Sequence, residues 1–456
     1  MLRSRIFGEE SIELPFGVDD LGWSGEDLDT LIGSLPEDAA QDESTADSAL
    51  GAQEDIIPTV PPDPVSSYGD VIKLGRHTLH CTNCMELLRS MPADSVDAIV
   101  TDPPYGLSPD GRARTWDEIA ELRAQGKGPK RGFMGKEWDA GVPGITWARE
   151  CLRVLKPGGH IIAFASTRTI HRLTVSLEDA GFQIRDQIGW LYWNGFPKSM
   201  DISNALDVKN GVKRPGRNIA DAGNNKILSP SRSVVSKGSP QSDAAMQWDG
   251  WGTSVKPAQE PAVLGRKPLE KGLTTAENVL KWRTGGLNID AARIPFGDPR
   301  WPGPDRDQAP IERMLNRYPV EGQVNSDLGR WPANIIAVPK ASTGEREEGC
   351  DDLQRSPTEV TGRELGSRGQ NNPRAGMSGS RPRGNHHPTV KPVKLMRWLL
   401  QLITPPGGTV LEPFAGSGST LVAAHGLDLS IVAAELEPAY CDIVVARISA
   451  LSKERP

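Results

Sequence analysis

Nowhere in the 456 residues is there an apolar run long enough to cross a membrane, and the first seventy residues hold no stretch that would serve as a secretory signal. A soluble, cytoplasmic protein is expected. Cysteine is scarce too, since five in a chain of this length do not make a disulfide framework. Hydrophobic residues reach only 37%, against 48 Gly and 38 Pro, so much of the chain must be loop. Two nucleotide-binding patterns are incomplete. The glycine run at Gly416 and Gly418 lacks the third glycine of a dinucleotide site, that position being Leu421, and no phosphate-loop lysine follows. A pyrophosphate ligand is thereby disfavoured.

A net charge of -7 argues against a polyanionic partner until it is divided along the chain. Residues 1–70 carry 17 Asp/Glu against 2 Lys/Arg, whereas the remaining residues carry 42 against 50, a surplus of eight positive charges suited to phosphate binding. The acidic stretch ends in Pro58-Thr59-Val60-Pro61-Pro62-Asp63-Pro64 and reads as a disordered tail with a stiff linker. Within it, residues 19–35 alone have the apolar spacing of a short amphipathic helix. The tail either solubilises the protein or lies over the basic cleft and competes with nucleic acid.

What is present begins with Asp102-Pro103-Pro104-Tyr105, which closes the apolar run from position 96 to 100. Short, β-branched and ended by prolines, the run predicts a buried parallel strand with the tetrapeptide at its C-terminal end, where open α/β sheets bind ligands. Paired prolines stiffen the turn and leave carbonyl acceptors without competing N–H donors. A carboxylate, a rigid carbonyl and an aromatic face suit a planar base with an exocyclic amine: Asp102 and the Pro103 or Pro104 carbonyl accept from the NH₂, and Tyr105 stacks on the ring. The other reading of the tetrapeptide, taken alone, is a strand-ending turn with an incidental Asp.

Roughly three hundred residues later, positions 408–424 read as strand, glycine turn and helix around Phe414-Ala415-Gly416-Ser417-Gly418. The next apolar run ends in Glu435, where an acid can accept from both hydroxyls of a ribose. A ribose-bearing cofactor without a pyrophosphate fits best.

These segments together resemble the S-adenosylmethionine-dependent DNA amino-methyltransferases of the permuted β group, and within it the phage-type methylases. His387-Pro388-Thr389-Val390-Lys391-Pro392 resembles the motif before the family's first strand, positions 414–418 its cofactor loop, and positions 102–105 its catalytic motif. Segments 134–139, 195–199, 256–261 and 330–336 resemble phage-type members. Thr82-Asn83 stands where members often carry Gly-Asp. The resemblance implies a Rossmann-like α/β sheet in circularly permuted motif order, with a loop-rich target-recognition insertion. It implies Asp102, Pro103, Pro104 and Tyr105 as catalytic residues. Asn83, Asp102, Thr389, Lys391, Glu412, Phe414, Gly416, Gly418, Ser419, Thr420 and Glu435 would bind S-adenosyl-L-methionine. The implied partner is double-stranded DNA, with a homodimer permitted. Methylation at adenine N6 is expected because Asp leads the tetrapeptide; cytosine N4 methylation, a non-catalytic antirestriction decoy and a pyridine-nucleotide enzyme are the alternatives, the last disfavoured by Leu421.

The domain plan that follows has a tail at 1–70, a catalytic half at 71–268 with a flexible insertion at 200–255, a target-recognition region at 269–386 and a cofactor half at 387–450. Helices are expected at 146–155 and 169–180, with strands at 161–165, 182–193 and 261–264, and Lys156-Pro157-Gly158-Gly159 as a helix stop. Lys127, Lys130, Arg131 and Lys136 form a basic patch after the catalytic motif. Residues 355–383, with six Arg against two Glu, read as a phosphate-tracking arm. His77, His80, Cys81 and Cys84 have zinc-like spacing, but strand alternation points them to opposite sides and no second cluster completes a site, so no metal is expected.

Overall fold

The computed structural model describes residues 64–107, 112–127, 138–192, 199–214, 217–218, 235–236, 238–295, 329, 331–355 and 383–453. The tail to residue 63, with its 19–35 segment, lies outside them. So do Lys130, Arg131 and residues 134–137, 195–198 and 356–382. The described residues fall into two compact units. One is drawn from 64–192, 258–293 and 331–453, and the smaller from 199–257 with 294, 295 and 329.

The larger unit is built on nine strands: β1 Val71–Leu74, β2 His77–Cys81, β3 Val96–Thr101, β4 Leu155–Phe164, β5 Gln183–Leu191, β6 Gln259–Arg266, β7 Ile335–Ala337, β8 Thr409–Glu412 and β9 Ser430–Glu435. They form one sheet in the order β1-β2-β9-β8-β3-β4-β6-β5-β7. Strands β2, β9, β8, β3 and β4 are mutually parallel, so β3 from one end of the chain pairs directly with β8 from the other. That pairing is why two motifs three hundred residues apart share one edge of the sheet.

Alternation along the strands divides the core into two layers. Ala98, Val100, Ile162 and Phe164 face helices α8 Val393–Ile403, α9 Ser419–Ala424 and α10 Pro438–Lys453. Ile99, Ile161, Ala163 and Leu411 face α1 Cys84–Ser90, α3 Ile145–Val154 and α4 Ile170–Ala180. Helix α2 Trp116–Ala124 follows the tetrapeptide and opens on a Thr115/Glu118 capping box. The expected α/β class, with helices on both faces of a largely parallel sheet, is the observed one.

Two expectations need amendment. Lys156-Pro157-Gly158-Gly159 does not separate helix from strand: helix α3 passes directly into β4, and the four residues form a bulge between the pairs Val96–Leu155 and Ala98–His160. Gly158 takes φ +80° there, and Lys156 Nζ reaches back 2.6 Å to Asp97 Oδ1, whose other oxygen accepts from the Thr409 N–H at 2.8 Å. The stretch after 268 also contains regular structure. Helix α7 Thr275–Trp282 packs on β4, its buried Asn278 donating to the Pro157 and Thr284 carbonyls, and β7 adds an edge strand beside β5. Three residues are too few to display a period.

In the smaller unit, helices α5 Ile202–Lys209 and α6 Asp243–Gln247 pack together over the buried Asp207. Asp207 accepts from Arg214 Nε at 2.6 Å, Ser242 Oγ at 2.7 Å and the N–H groups of Gln241 and Ser242 at 3.1 and 3.0 Å.

Among the described residues no helix is long and apolar enough to cross a membrane, and no three His, Cys, Asp or Glu side chains gather as metal ligands. His77 instead accepts the Ile431 N–H through Nδ1 at 3.2 Å.

Candidate active site

All six residues of β3 are buried, and the tetrapeptide emerges from its C-terminal end. The turn is held from behind, because Asp139 Oδ1 accepts from the N–H groups of Tyr105 and Gly106 at 3.0 and 3.1 Å. Two charge-assisted bonds to consecutive amides fix the backbone just after the prolines.

Four polar side chains meet in front of this turn. Lys391 Nζ donates to Asp102 Oδ2, lies 3.1 Å from the Tyr105 hydroxyl and 3.3 Å from Glu260 Oε2. Tyr105 in turn donates to Glu260 Oε2 at 2.9 Å. The lysine side chain is only 7% exposed, and its ammonium sits 5.0 Å from the ring of Phe164 and 5.3 Å from that of Tyr105. Asp102 Oδ1 is buried and accepts no hydrogen bond from the described residues.

The charges follow from this geometry. Burial holds the Asp102 carboxyl above the ordinary carboxylate range; Lys391 pulls it down and Glu260 pushes it up. Burial also works upward on Glu260, but Lys391 and Lys340 outweigh it and keep that carboxyl low. Lys391 keeps its proton despite burial because two carboxylates face it. The site therefore sets two acids against one base and leaves one oxygen as an open acceptor.

Beside it, β8 delivers the glycine loop. Gly416 and Gly418 have φ of +53° and +78°, and a Cβ on Gly416 would lie 2.9 Å from His387 Nε2. The Gly416 N–H donates to Glu435 Oε2 at 2.8 Å, and the Glu437 N–H to Oε1 at 2.9 Å, so the acid at the tip of β9 is braced but keeps lone pairs for hydroxyl donors. Burial pushes Glu435 up to about 7. Ser419 Oγ, at the first residue of α9, is buried and has no hydrogen-bond partner among the described residues. Phe414 packs between Trp116 and Trp147, ring centroids 5.8 and 5.9 Å away.

Other expected site residues are placed differently. Glu412 is 1% exposed and accepts from Thr101 Oγ1 at 2.5 Å, Thr420 Oγ1 at 2.6 Å and the Phe414 N–H at 3.2 Å. Glu412 and Thr420 thus frame the loop from below. The Thr389 carbonyl meets His387 Nδ1 at 2.6 Å, and Lys391 belongs with Asp102 and Tyr105. Asn83 caps α1, its Oδ1 accepting from the Met85 N–H at 2.8 Å. Sequence reading missed three residues. Glu260 and Asp139 lay within quoted motifs without a role, and the buried Arg447 donates to the Ser417 carbonyl at 2.7 Å from a helix that shows no pattern for it.

Residues 96–446, spanning both the tetrapeptide and the glycine loop, match the family described as DNA methylase. The chain belongs to that family. This methylase is 22% identical over 383 residues to the Type II methyltransferase M.HindIII of Haemophilus influenzae, covering 79% of its own length and 91% of the relative's. Over 130 residues it is 32% identical to the Type II methyltransferase M.HpaI of Haemophilus parainfluenzae, covering 28% and 36%. Among solved structures it is similar to the M1.HpyAVI–SAM complex, at 15% identity, 81% and 98% coverage and a TM-score of 0.35. It is also similar to the cytosine-N4-specific PvuII DNA methyltransferase, at 15% identity, 82% and 85% coverage and a TM-score of 0.39. The methylase uses S-adenosyl-L-methionine to methylate DNA, and the glycine loop, the braced Glu435 and the unpartnered Ser419 hydroxyl suit a ribose-bearing cofactor without a pyrophosphate.

Proposed function

We propose that the enzyme is a site-specific methyltransferase acting on the exocyclic N6 of adenine flipped out of double-stranded DNA, with Asp102, Pro103, Pro104 and Tyr105 as its catalytic residues. The observation that carries this reading is the buried, unpartnered Asp102 Oδ1 at the C-terminal end of β3. An amine with two N–H groups would give one to Asp102 and the other to the Pro103 or Pro104 carbonyl, while Tyr105 stacks on the ring. Those contacts hold the nitrogen in one orientation and stabilise positive charge developing on it, and afterwards its proton leaves to Asp102 or to water. Bound S-adenosyl-L-methionine supplies the electrophilic methyl group. Glu435 would accept from its ribose hydroxyls, and Gly416, Gly418 and Ser419 would line its loop. Phe414 and Asn83 would contact its adenine, with Glu412, Thr420, Thr389 and Lys391 behind them.

The sheet order supports a permuted chain, since β8 and β9 at the C-terminal end lie between β2 and β3. A catalytic half at 71–268, an insertion at 200–255, recognition elements within 269–386 and a cofactor half at 387–450 remain our domain plan. The preference for adenine rests on the aspartate that leads the tetrapeptide. Expression in a methylation-free host followed by single-molecule sequencing tests the proposal: N6-methyladenine within one short sequence is expected. N4-methylcytosine would overturn the acceptor, and unmodified DNA alongside intact cofactor binding would favour a decoy.

A further inference from the structure

Building on the role proposed for Asp102, we propose that Glu260 is a positioning residue of the methyl-transfer site, anchoring the Tyr105 hydroxyl and sharing the Lys391 ammonium so that Asp102 Oδ1 stays open for the substrate amine. Strand β6 runs antiparallel between β4 and β5, pairing Ala262 with Phe164 and Glu260 with Trp190. This register brings Glu260 to the edge of the sheet where β3 releases Asp102. Its side chain shares a face with Ala262 and Leu264, the face against which Tyr105 packs.

An ammonium has three N–H groups, and Lys391 turns toward three oxygens: Asp102 Oδ2, Tyr105 Oη and Glu260 Oε2. Without Glu260, two donors would remain near Asp102 and the second would be drawn to Oδ1, the one acceptor left open. Glu260 also accepts a hydrogen bond from the Tyr105 hydroxyl at 2.9 Å, which anchors the far end of the ring on which a base would stack. From its other side Lys340 approaches Glu260 Oε1 at 3.8 Å while resting over the Tyr192 ring at 4.1 Å. Among the described residues, the titratable and charged groups around Asp102 and Glu260 are thus Lys391, Lys340, Tyr105 and Tyr192, and Asp102 itself acts on Glu412 of β8.

Glu260→Gln preserves size and an acceptor for Tyr105 but removes the charge that shares Lys391. The expected result is a kcat about tenfold to a hundredfold lower, with S-adenosyl-L-methionine affinity within about twofold. The acid limb of the kcat profile should move to lower pH, because Asp102 loses a like-charged neighbour and gains the whole ammonium. A purely structural residue would not move that limb. Tyr105→Phe removes the hydrogen bond to Glu260 without touching β6 and is expected to lower kcat with cofactor binding intact. When Tyr105→Phe is combined with Glu260→Ala, which removes the acceptor as well as the charge, the two losses should be less than additive. A wild-type kcat and acid limb in Glu260→Gln, a wild-type kcat in Tyr105→Phe, or full additivity would each overturn the inference. Asp102→Ala assayed alongside separates the two claims. If it stays fully active the reading of Asp102 fails, whereas loss of activity there with a neutral Glu260→Gln defeats only the role of Glu260.

Discussion

Asp207 in the smaller unit and Asp102 at the end of β3 are both drawn out of water, and their surroundings differ in every respect that matters. Asp207 is fully buried, is paired with Arg214, whose side chain is 5% exposed, and collects bonds from Ser242 and two backbone N–H groups. Although burial works against it, those donors hold its carboxyl well below the usual carboxylate range. Among the described residues, Asp102 shares the Lys391 ammonium with a second carboxylate and carries an oxygen with no hydrogen-bond partner, and it sits above that range. A saturated carboxylate holds chain segments together; an unsaturated one is kept for a ligand. The contrast sets a folding residue apart from the one proposed to react, without reference to any relative.

The largest expected effect comes from taking away the open acceptor. Asp102→Ala should lower methyl transfer by about three to four orders of magnitude while cofactor binding stays measurable. Its melting temperature should be unchanged or higher, because Glu260 remains to balance Lys391 and no buried charge is stranded. Activity from radiolabelled methyl transfer, read beside a thermal melt, checks both halves. Near-wild-type activity would remove the distinction between the two aspartates.

The matching change at the saturated residue should do the reverse. Asp207→Ala leaves Arg214 without its carboxylate, which should destabilise the smaller unit, and it frees the Ser242 end of α6. Loss should show in urea unfolding followed by tryptophan emission, since Trp248 and Trp251 stack edge to face at 5.1 Å within the same unit. A stability within about 0.5 kcal/mol of wild type would show that the bonds to Asp207 are replaceable.

A smaller effect is expected behind the glycine loop. Gly416→Ala must hold φ near +53° and bring a methyl to 2.9 Å from His387 Nε2, at a cost of about 1–3 kcal/mol. Because His387 packs edge to face on Tyr440 at 4.6 Å, the ring has little room to retreat. Cofactor affinity by calorimetry should fall about tenfold, with the melt lowered by a few degrees.

How much of this could be read from the sequence depends on how local the cause is. Strand β3, the glycine loop and Glu435 are each specified within a few residues, by β-branched runs, positive-φ glycines and a strand-ending acid, and they lie where expected. Glu260 and Arg447 act across the fold: one reaches Tyr105 from 155 positions away and the other reaches Ser417 from within helix α10. No periodicity encodes such a contact. Glu412 shows the converse. As the acid beside a cofactor loop it reads as a ligand contact, yet strand alternation turns it inward to two threonine hydroxyls, and only the three-dimensional pairing of β8 with β3 puts Thr101 within its reach.

That inward carboxyl offers the finest version of the contrast, because it is buried with neutral donors alone. Burial pushes Glu412 up to about 8 and Glu435 up to about 7. An acid whose folded pKa lies above its unfolded value stabilises the fold fully below the unfolded pKa, and that contribution fades as pH rises through the folded one. Stability of the cofactor-free enzyme should therefore decline between about pH 4.5 and about pH 8 on account of these two residues. Asp207 works with the opposite sign: its pKa is depressed, so its contribution is lost only on acidification. Glu412→Gln keeps an acceptor for Thr101 and Thr420 but has no proton to lose, and melts taken across that pH range should decline less steeply than wild type. An unchanged slope would mean that Glu412 is ionised in the folded protein, and that two threonine hydroxyls and one backbone N–H suffice to hold a buried carboxylate charged.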